Sequence, residues 1–290
     1  MIQGQRCVGR YRLFSLIRSG HASEIWVVRP MDSEETYAMK LIPPGEQHTR
    51  QQVAFLKHEY LVGSQLDHPN VVKIMDFAST RAGSFLIMEL FKYPNLKQQI
   101  QHGADRLAHV AEEVIITAAK GLRHLHEKGW IHRDVKPDNL LVDRGGDTKL
   151  IDFNLALKRA GALGKLFGGK SKVQGTISYM SPEQIRGQRI DERSDIYSFG
   201  CVVHELLGGK PPLTGTSPQD LLAKHLKVIP TLLTAINNNV DQDFAEFVQQ
   251  MMAKRPKNRP ANMDDLLADV GSMKIFRRRP EPVVDTDSRQ

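Results

Sequence analysis

Apolar and polar positions change period along this chain. Three short runs rich in β-branched and aromatic residues open it, YRLFSLI from Tyr11, EIWVV from Glu24 and YAMKLI from Tyr37, separated by SGHAS and PMDSEE. Such runs between turn-forming clusters predict strands. Phe55, Glu59, Val62 and Leu66 then recur at helical spacing, which predicts one face of a helix over residues 50–66, ended by His68, Pro69 and Asn70. VVKIMDFA and SFLIMELF predict two further strands, and past residues 92–96 the helical period takes over. Ile115, Ala118, Leu122 and Leu125 make one apolar stripe, while Ile196, Phe199, Val203, Leu206 and Leu207 mark a helix buried on most sides and stopped by Gly208 and Gly209. The fold class expected is α+β: a small antiparallel sheet with one helix, then a larger, mainly helical part.

Composition narrows the class without naming a chemistry. With 290 residues, 40% hydrophobic and 25% charged, the chain is long enough for one two-lobed unit or two small domains. No apolar run approaches the roughly 18 residues of a membrane span, and the N-terminus has no signal-type apolar core, so the expected location is cytoplasmic. Cys7 and Cys201 give neither a disulfide framework nor a metal spacing and are expected to be free thiols. The net charge of +7 is spread along the chain without an aromatic-interleaved basic motif, which argues against nucleic acid as a partner.

Two charged residues on apolar faces carry the first chemical signal. Lys40 shares a strand face with Ala38 and Ile42, and Glu59 lies on the helical stripe. Either charge alone would be costly to bury, and a pair relieves both; the bland alternative is a snorkelling Lys40 with Glu59 at the edge of the stripe. HRDVKPDN follows the helix around residues 115–125, with Asp134 as a candidate base, Lys136 two residues on and Asn139 five residues on; LIDFN adds Asp152. Two carboxylates and an amide oxygen near phosphate suit a hard divalent ion that keeps waters. Phosphoryl transfer asks for charge compensation, an in-line acceptor and a proton acceptor.

In this order the motifs resemble the eukaryotic-type (Hanks-type) serine/threonine protein kinase family, in a form similar to bacterial members, over residues 11–274. The resemblance implies a kinase domain with a small lobe at 11–90 and a large lobe at 91–274, an N-terminal extension at 1–10 and a tail at 275–290. It implies ATP and Mg²⁺, with Mn²⁺ as an alternative ion, and protein substrates with Ser or Thr acceptors. By it, Lys40 binds the α- and β-phosphates and pairs with Glu59, Asp134 is the catalytic base, Lys136 neutralises the γ-phosphate, and Asn139 and Asp152 hold the metal. Ile17, Gly20, Ile25, Ala38, Met88, Glu89, Phe91 and Leu141 line the nucleotide site. Ser171, Thr176 and Glu183 belong to the activation segment, whose basic stretch reads either as a solvated, flexible loop or as a switch in which phosphorylated Ser171 pairs with Arg133. His132, Arg133, Asp195 and Arg259 give structural support, Arg259 by pairing with Glu183 and Asp195 by bracing the catalytic loop.

The sequence departs from the family at three places. The glycine-rich loop keeps only Gly20, with Arg18 and Ser23 at the flanking glycine positions. Asn154 stands third in the DFG motif, where its tolerance of the left-handed conformation is expected to preserve the local geometry. Gly63 stands where a larger apolar residue is usual, which is expected to loosen Glu59 and make a homodimer or an activating partner useful. The altered glycine loop and Asn154 support one alternative to an active kinase, a nucleotide-binding pseudokinase acting as a regulatory module.

Overall fold

The computed structural model describes residues 6–20, 23–45, 49–159 and 175–282. The chain divides into two compact units, Met1–Lys92 with Asp152–Asn154, and Tyr93–Ile151 with Leu155–Gln290.

The smaller unit is an antiparallel sheet carrying one helix. Its strands are β1 (Cys7–Val8), β2 (Tyr11–Ser19), β3 (Glu24–Pro30), β4 (Tyr37–Ile42), β5 (Ile74–Thr80) and β6 (Gly83–Glu89), in the order β1-β2-β3-β4-β6-β5. Residues expected only as an extension thus start the sheet. Val8 pairs with Tyr11 across a two-residue turn whose first residue, Gly9, has φ 58°, where a tight hairpin favours glycine.

Register separates the two faces of the sheet. Directly opposed residues share a face, and Ile25↔Lys40↔Leu86 and Val27↔Ala38↔Met88 line up across β3, β4 and β6. The other face supplies the core of Val28, Met39, Leu41, Phe85 and Ile87, closed by Val8, Tyr11 and Leu13. Pleating therefore gives Lys40 a different environment from its neighbours Met39 and Leu41.

The helix α1 (Thr49–Gly63) ends three residues earlier than its apolar period suggests. Leu66 is buried but lies in the turn that follows, where its N–H bonds the carbonyl of Gly63. Gly63 leaves no void: a Cβ built there would lie 2.2 Å from Ile74 Cδ1, so the β5 isoleucine already occupies the space a larger residue would fill.

The larger unit contains α2 (Leu96–Gln101), α3 (Ala111–Glu127), α4 (Pro182–Ile185), α5 (Glu192–Gly208), α6 (Pro218–Lys227), α7 (Gln242–Met251) and α8 (Met263–Ser272). Short strands β7 (Trp130–Ile131) with β10 (Leu157–Lys158), and β8 (Leu140–Val142) with β9 (Thr148–Leu150), form two small ribbons. Ile115, Ala118, Leu122 and Leu125 of α3 are buried, as the stripe predicts. Every residue of α5 from Ser194 to Leu207 is buried, and Gly209, at φ 76°, caps it. Cys201 is buried within it, Cys7 is exposed, and the two are not joined in a disulfide. Among the described residues no helix is long and apolar enough to cross a membrane.

Candidate active site

The smaller unit brings three charged side chains together. Lys40 Nζ donates to Glu59 Oε2 at 2.7 Å and to Asp152 Oδ1 at 3.1 Å. The Glu59 side chain is 3% exposed and that of Asp152 25%. Burial alone would lower the pKa of the Lys40 ammonium, but the Asp152 and Glu59 carboxylates outweigh it and hold the ammonium above its usual range. Burial, with Asp152 close by, pushes Glu59 upward against the pull of Lys40, to about 7. One ammonium therefore serves two acids, and the deeper acid is the less well compensated.

Asp152 has φ 67° and Asn154 does not take a left-handed backbone. The left-handed conformation expected at the third motif residue is thus found two residues earlier, at an aspartate, whose short side chain tolerates it. Asn154 Oδ1 is buried with no hydrogen-bond partner among the described residues. It borders a cavity of about 110 Å³ shared with Ser23, Lys40, Ile42, Phe55, Leu56 and Glu59.

Asp134 in the larger unit is held from both sides. Its Oδ1 accepts the N–H and the hydroxyl of Thr176, each at 2.8 Å, and its Oδ2 lies 2.6 Å from Lys136 Nζ. Lys136 also donates to Thr176 Oγ1 at 2.8 Å, which closes a ring of lysine, threonine and aspartate. Asn139 donates its amide N–H to the Asp134 carbonyl at 2.9 Å, which orients the amide. Gly175 has φ 121°, and a Cβ there would meet the Arg133 carbonyl at 2.9 Å; only glycine lets Thr176 reach Asp134.

Beneath this ring, Asp195 accepts the N–H groups of His132 at 2.8 Å and Arg133 at 2.9 Å, together with His126 Nε2 at 2.8 Å. Although burial opposes it, these bonds hold the Asp195 carboxyl below its usual range. They also brace Arg133 in a left-handed backbone, φ 69°. Arg259 grips Glu183 with two bonds, at 2.7 and 2.9 Å, and spends further N–H groups on the carbonyls of Ala253 and Arg193. His126, Gly175 and the pair of Lys97 with Glu205 do not stand out in the sequence. Only His126 leaves a trace there, as a polar residue one position beyond the apolar stripe of α3.

The nucleotide-site candidates fall in both units. Ile25, Ala38 and Met88 share the Lys40 face of the sheet, with Val27 and Leu86 beside them unforeseen. Ile17 is exposed in β2, and Gly20 donates its N–H to the Ser23 carbonyl at 2.9 Å without a positive φ. Glu89 accepts the Lys73 N–H on its carboxylate, Phe91 follows it in the smaller unit, and Leu141 is half-buried in β8 of the larger unit. Ser171 lies outside the described residues.

Among the described residues no group of three or more His, Cys, Asp or Glu side chains could hold a metal ion. Asp152 in the smaller unit and Asn139 in the larger each carry a side-chain oxygen of the kind hard divalent ions take.

The sequence pattern of the protein kinase domain matches residues 11–270. The chain is 31% identical over 285 residues to the serine/threonine-protein kinase PknB of Mycobacterium tuberculosis, covering 97% of this chain and 45% of that protein. It is 28% identical over 270 residues to the serine/threonine-protein kinase PrkC of Bacillus subtilis, covering 93% and 41%. It thus spans less than half the length of these relatives. Motif order, the two side-chain clusters and the extent of the match agree, and the chain belongs to the protein kinase domain family.

Proposed function

We propose that this chain is the catalytic domain of a serine/threonine protein kinase, transferring the γ-phosphate of ATP to a serine or threonine hydroxyl of a protein substrate. The observation that carries it is the Asp134 carboxylate bonded to Lys136 and Thr176, a preoriented proton acceptor beside a cation. Asp134 takes the proton of the acceptor hydroxyl, and Lys136 compensates charge on the transferring group. Lys40, kept protonated by its two acids, binds the α- and β-phosphates. Ile17, Ile25, Ala38, Met88 and Leu141 enclose the adenine, the Glu89–Phe91 backbone meets its edge, and Gly20 leaves room for phosphate to approach the loop.

Asp152 and Asn139 are the residues that would hold Mg²⁺, or Mn²⁺ in its place. When bound, the ion would supply positive charge to the phosphates. The proposed working compartment is the cytoplasm.

The test is intact-mass analysis after incubation with Mg·ATP and a basic protein substrate, beside Asp134→Asn. We expect phosphate on the wild type or the substrate, and a rate lower by about 10²–10⁴-fold in the variant, the contribution of a general base. Equal incorporation by both proteins would remove Asp134 from the chemistry. No incorporation, with nucleotide still raising Tm, would make the chain a nucleotide-binding module.

A further inference from the structure

The cavity beside Lys40 is bordered by two acceptors that the reaction as just described does not pair. Asn154 Oδ1 is one of them, buried and without a hydrogen-bond partner among the described residues. Glu59, also buried, supplies the other: Lys40 donates to its Oε2, and its Oε1 accepts no hydrogen bond among the described residues. A carboxylate and an amide oxygen only accept, so neither satisfies the other, and leaving either unpaired away from water is costly. A lysine ammonium has three N–H groups; Lys40 spends two on Glu59 and Asp152, and the kinase reading gives the third to phosphate. Ser23 and Gln52 add groups able to donate and to accept, and the remaining lining is apolar.

We propose that Asn154 is a positioning residue for Glu59, acting through a water molecule in this cavity that donates one hydrogen to Asn154 Oδ1 and the other to Glu59 Oε1. Two acceptors need a bridge with two donors, and water is the smallest. The cavity, at about 110 Å³, has room for it, since a water takes up about 30 Å³. Ser23 or Gln52 can donate to the water oxygen, completing the roughly three hydrogen bonds that a buried water makes. The acid served by one shared ammonium thereby gains a second partner, held by the residue two positions beyond Asp152. Glu59, Lys40 and Asp152 are then tied at both ends, by the ammonium between the acids and by the bridge to Asn154. Glycine, which the family carries at the third motif position, has no side-chain oxygen, so the bridge belongs to this chain's own departure from the pattern. Only the effect on rate rests on the kinase reading; the bridge rests on the cavity and its two acceptors.

Crystallography of the wild type, at a resolution that shows ordered solvent, tests the bridge without any turnover. One water is expected within about 3.2 Å of both Asn154 Oδ1 and Glu59 Oε1. Density with no water bonded to both atoms overturns the proposal, whatever the activity of the chain, and this arm stays decisive if the variants fail to fold. Phosphate incorporation over a range of ATP concentrations then tests the positioning role. Asn154→Leu keeps most of the side-chain bulk and removes the acceptor; it is expected to lower kcat about fivefold and to leave KM for ATP within about twofold. In a Glu59→Ala background the same substitution should change kcat by less than about twofold, because Asn154 acts through Glu59. A fivefold loss that persists without Glu59 refutes the positioning role. If the water is present and no protein transfers phosphate, the bridge stands and the kinase reading fails.

Discussion

Glu59 in the smaller unit and Asp195 in the larger are both carboxylates taken out of water, at 3% and 0% exposure, yet their proton affinities move in opposite directions. Burial is the leading influence on each and pushes both upward. Asp195 overcomes it with two backbone N–H groups and an imidazole, all fixed by the chain around it. Glu59 has the single ammonium of Lys40, shared with Asp152 and mounted on a flexible stem. A buried acid bonded by backbone is a brace, whereas one bonded by a shared side chain is an adjustable part. The adjustable acid belongs to the cluster proposed to meet ATP, and the brace sits under the proton acceptor.

The comparison can be broken most directly at the brace. Asp195→Ala leaves three donors buried around an empty seat and should cost about 3–5 kcal/mol of unfolding free energy in denaturant titration. A loss under about 1 kcal/mol would deny Asp195 its bracing role. Glu59→Gln should behave differently at pH 7.5. Phosphoryl transfer should drop by at least about tenfold, the effect of misplacing Lys40, while unfolding free energy changes by less than about 1 kcal/mol because the charge was poorly compensated.

pH sharpens the contrast through its sign. The Glu59 pKa in the folded state is raised to about 7, so its contribution to stability is fully present below the ordinary carboxylate range and is lost as pH rises through about 7. Glu59→Gln lacks that loss, and its stability relative to wild type should rise by about 1–3 kcal/mol between pH 5 and 8. The Asp195 pKa is lowered, so its contribution is present above the ordinary range and disappears as pH falls through and below about 4. Denaturant titrations at a series of pH values read both, and a Glu59→Gln difference that stays flat would count against the raised pKa.

The smallest effect tests the seat of α1. Gly63→Ala crowds Ile74 and should destabilise by about 1 kcal/mol, because the nearest atom is the movable end of a side chain. Adding Ile74→Val should recover part of that loss in a double-mutant cycle. Additive losses would show that Ile74 is not what fills the space beside Gly63.

Much of this was legible because it is local. Alternation along YAMKLI puts Lys40 on the face of Ala38 and Ile42, and the helical period puts Glu59 on the buried side of α1, whatever the rest of the chain does. HRDVKPDN carries its spacing with it. The harder features join residues far apart. His126 reaches Asp195 across 69 positions and Lys97 reaches Glu205 across 108, and no periodicity links such pairs. Local reading also failed where it treated residues one at a time. Gly63 reads as a missing side chain until Ile74 is seen in its place, and Asn154 invites a left-handed assignment that the backbone gives to Asp152.

By itself the sequence determined the element types, the two-part α+β plan and which charged residues had to find partners, because side-chain period and desolvation cost act within a few residues of the chain. Tertiary structure alone decided who those partners are and how many each acid receives. That count sets Glu59 and Asp195 on opposite sides of the usual carboxylate range, because hydrogen bonds to a buried charge depend on groups that only folding brings within 3 Å.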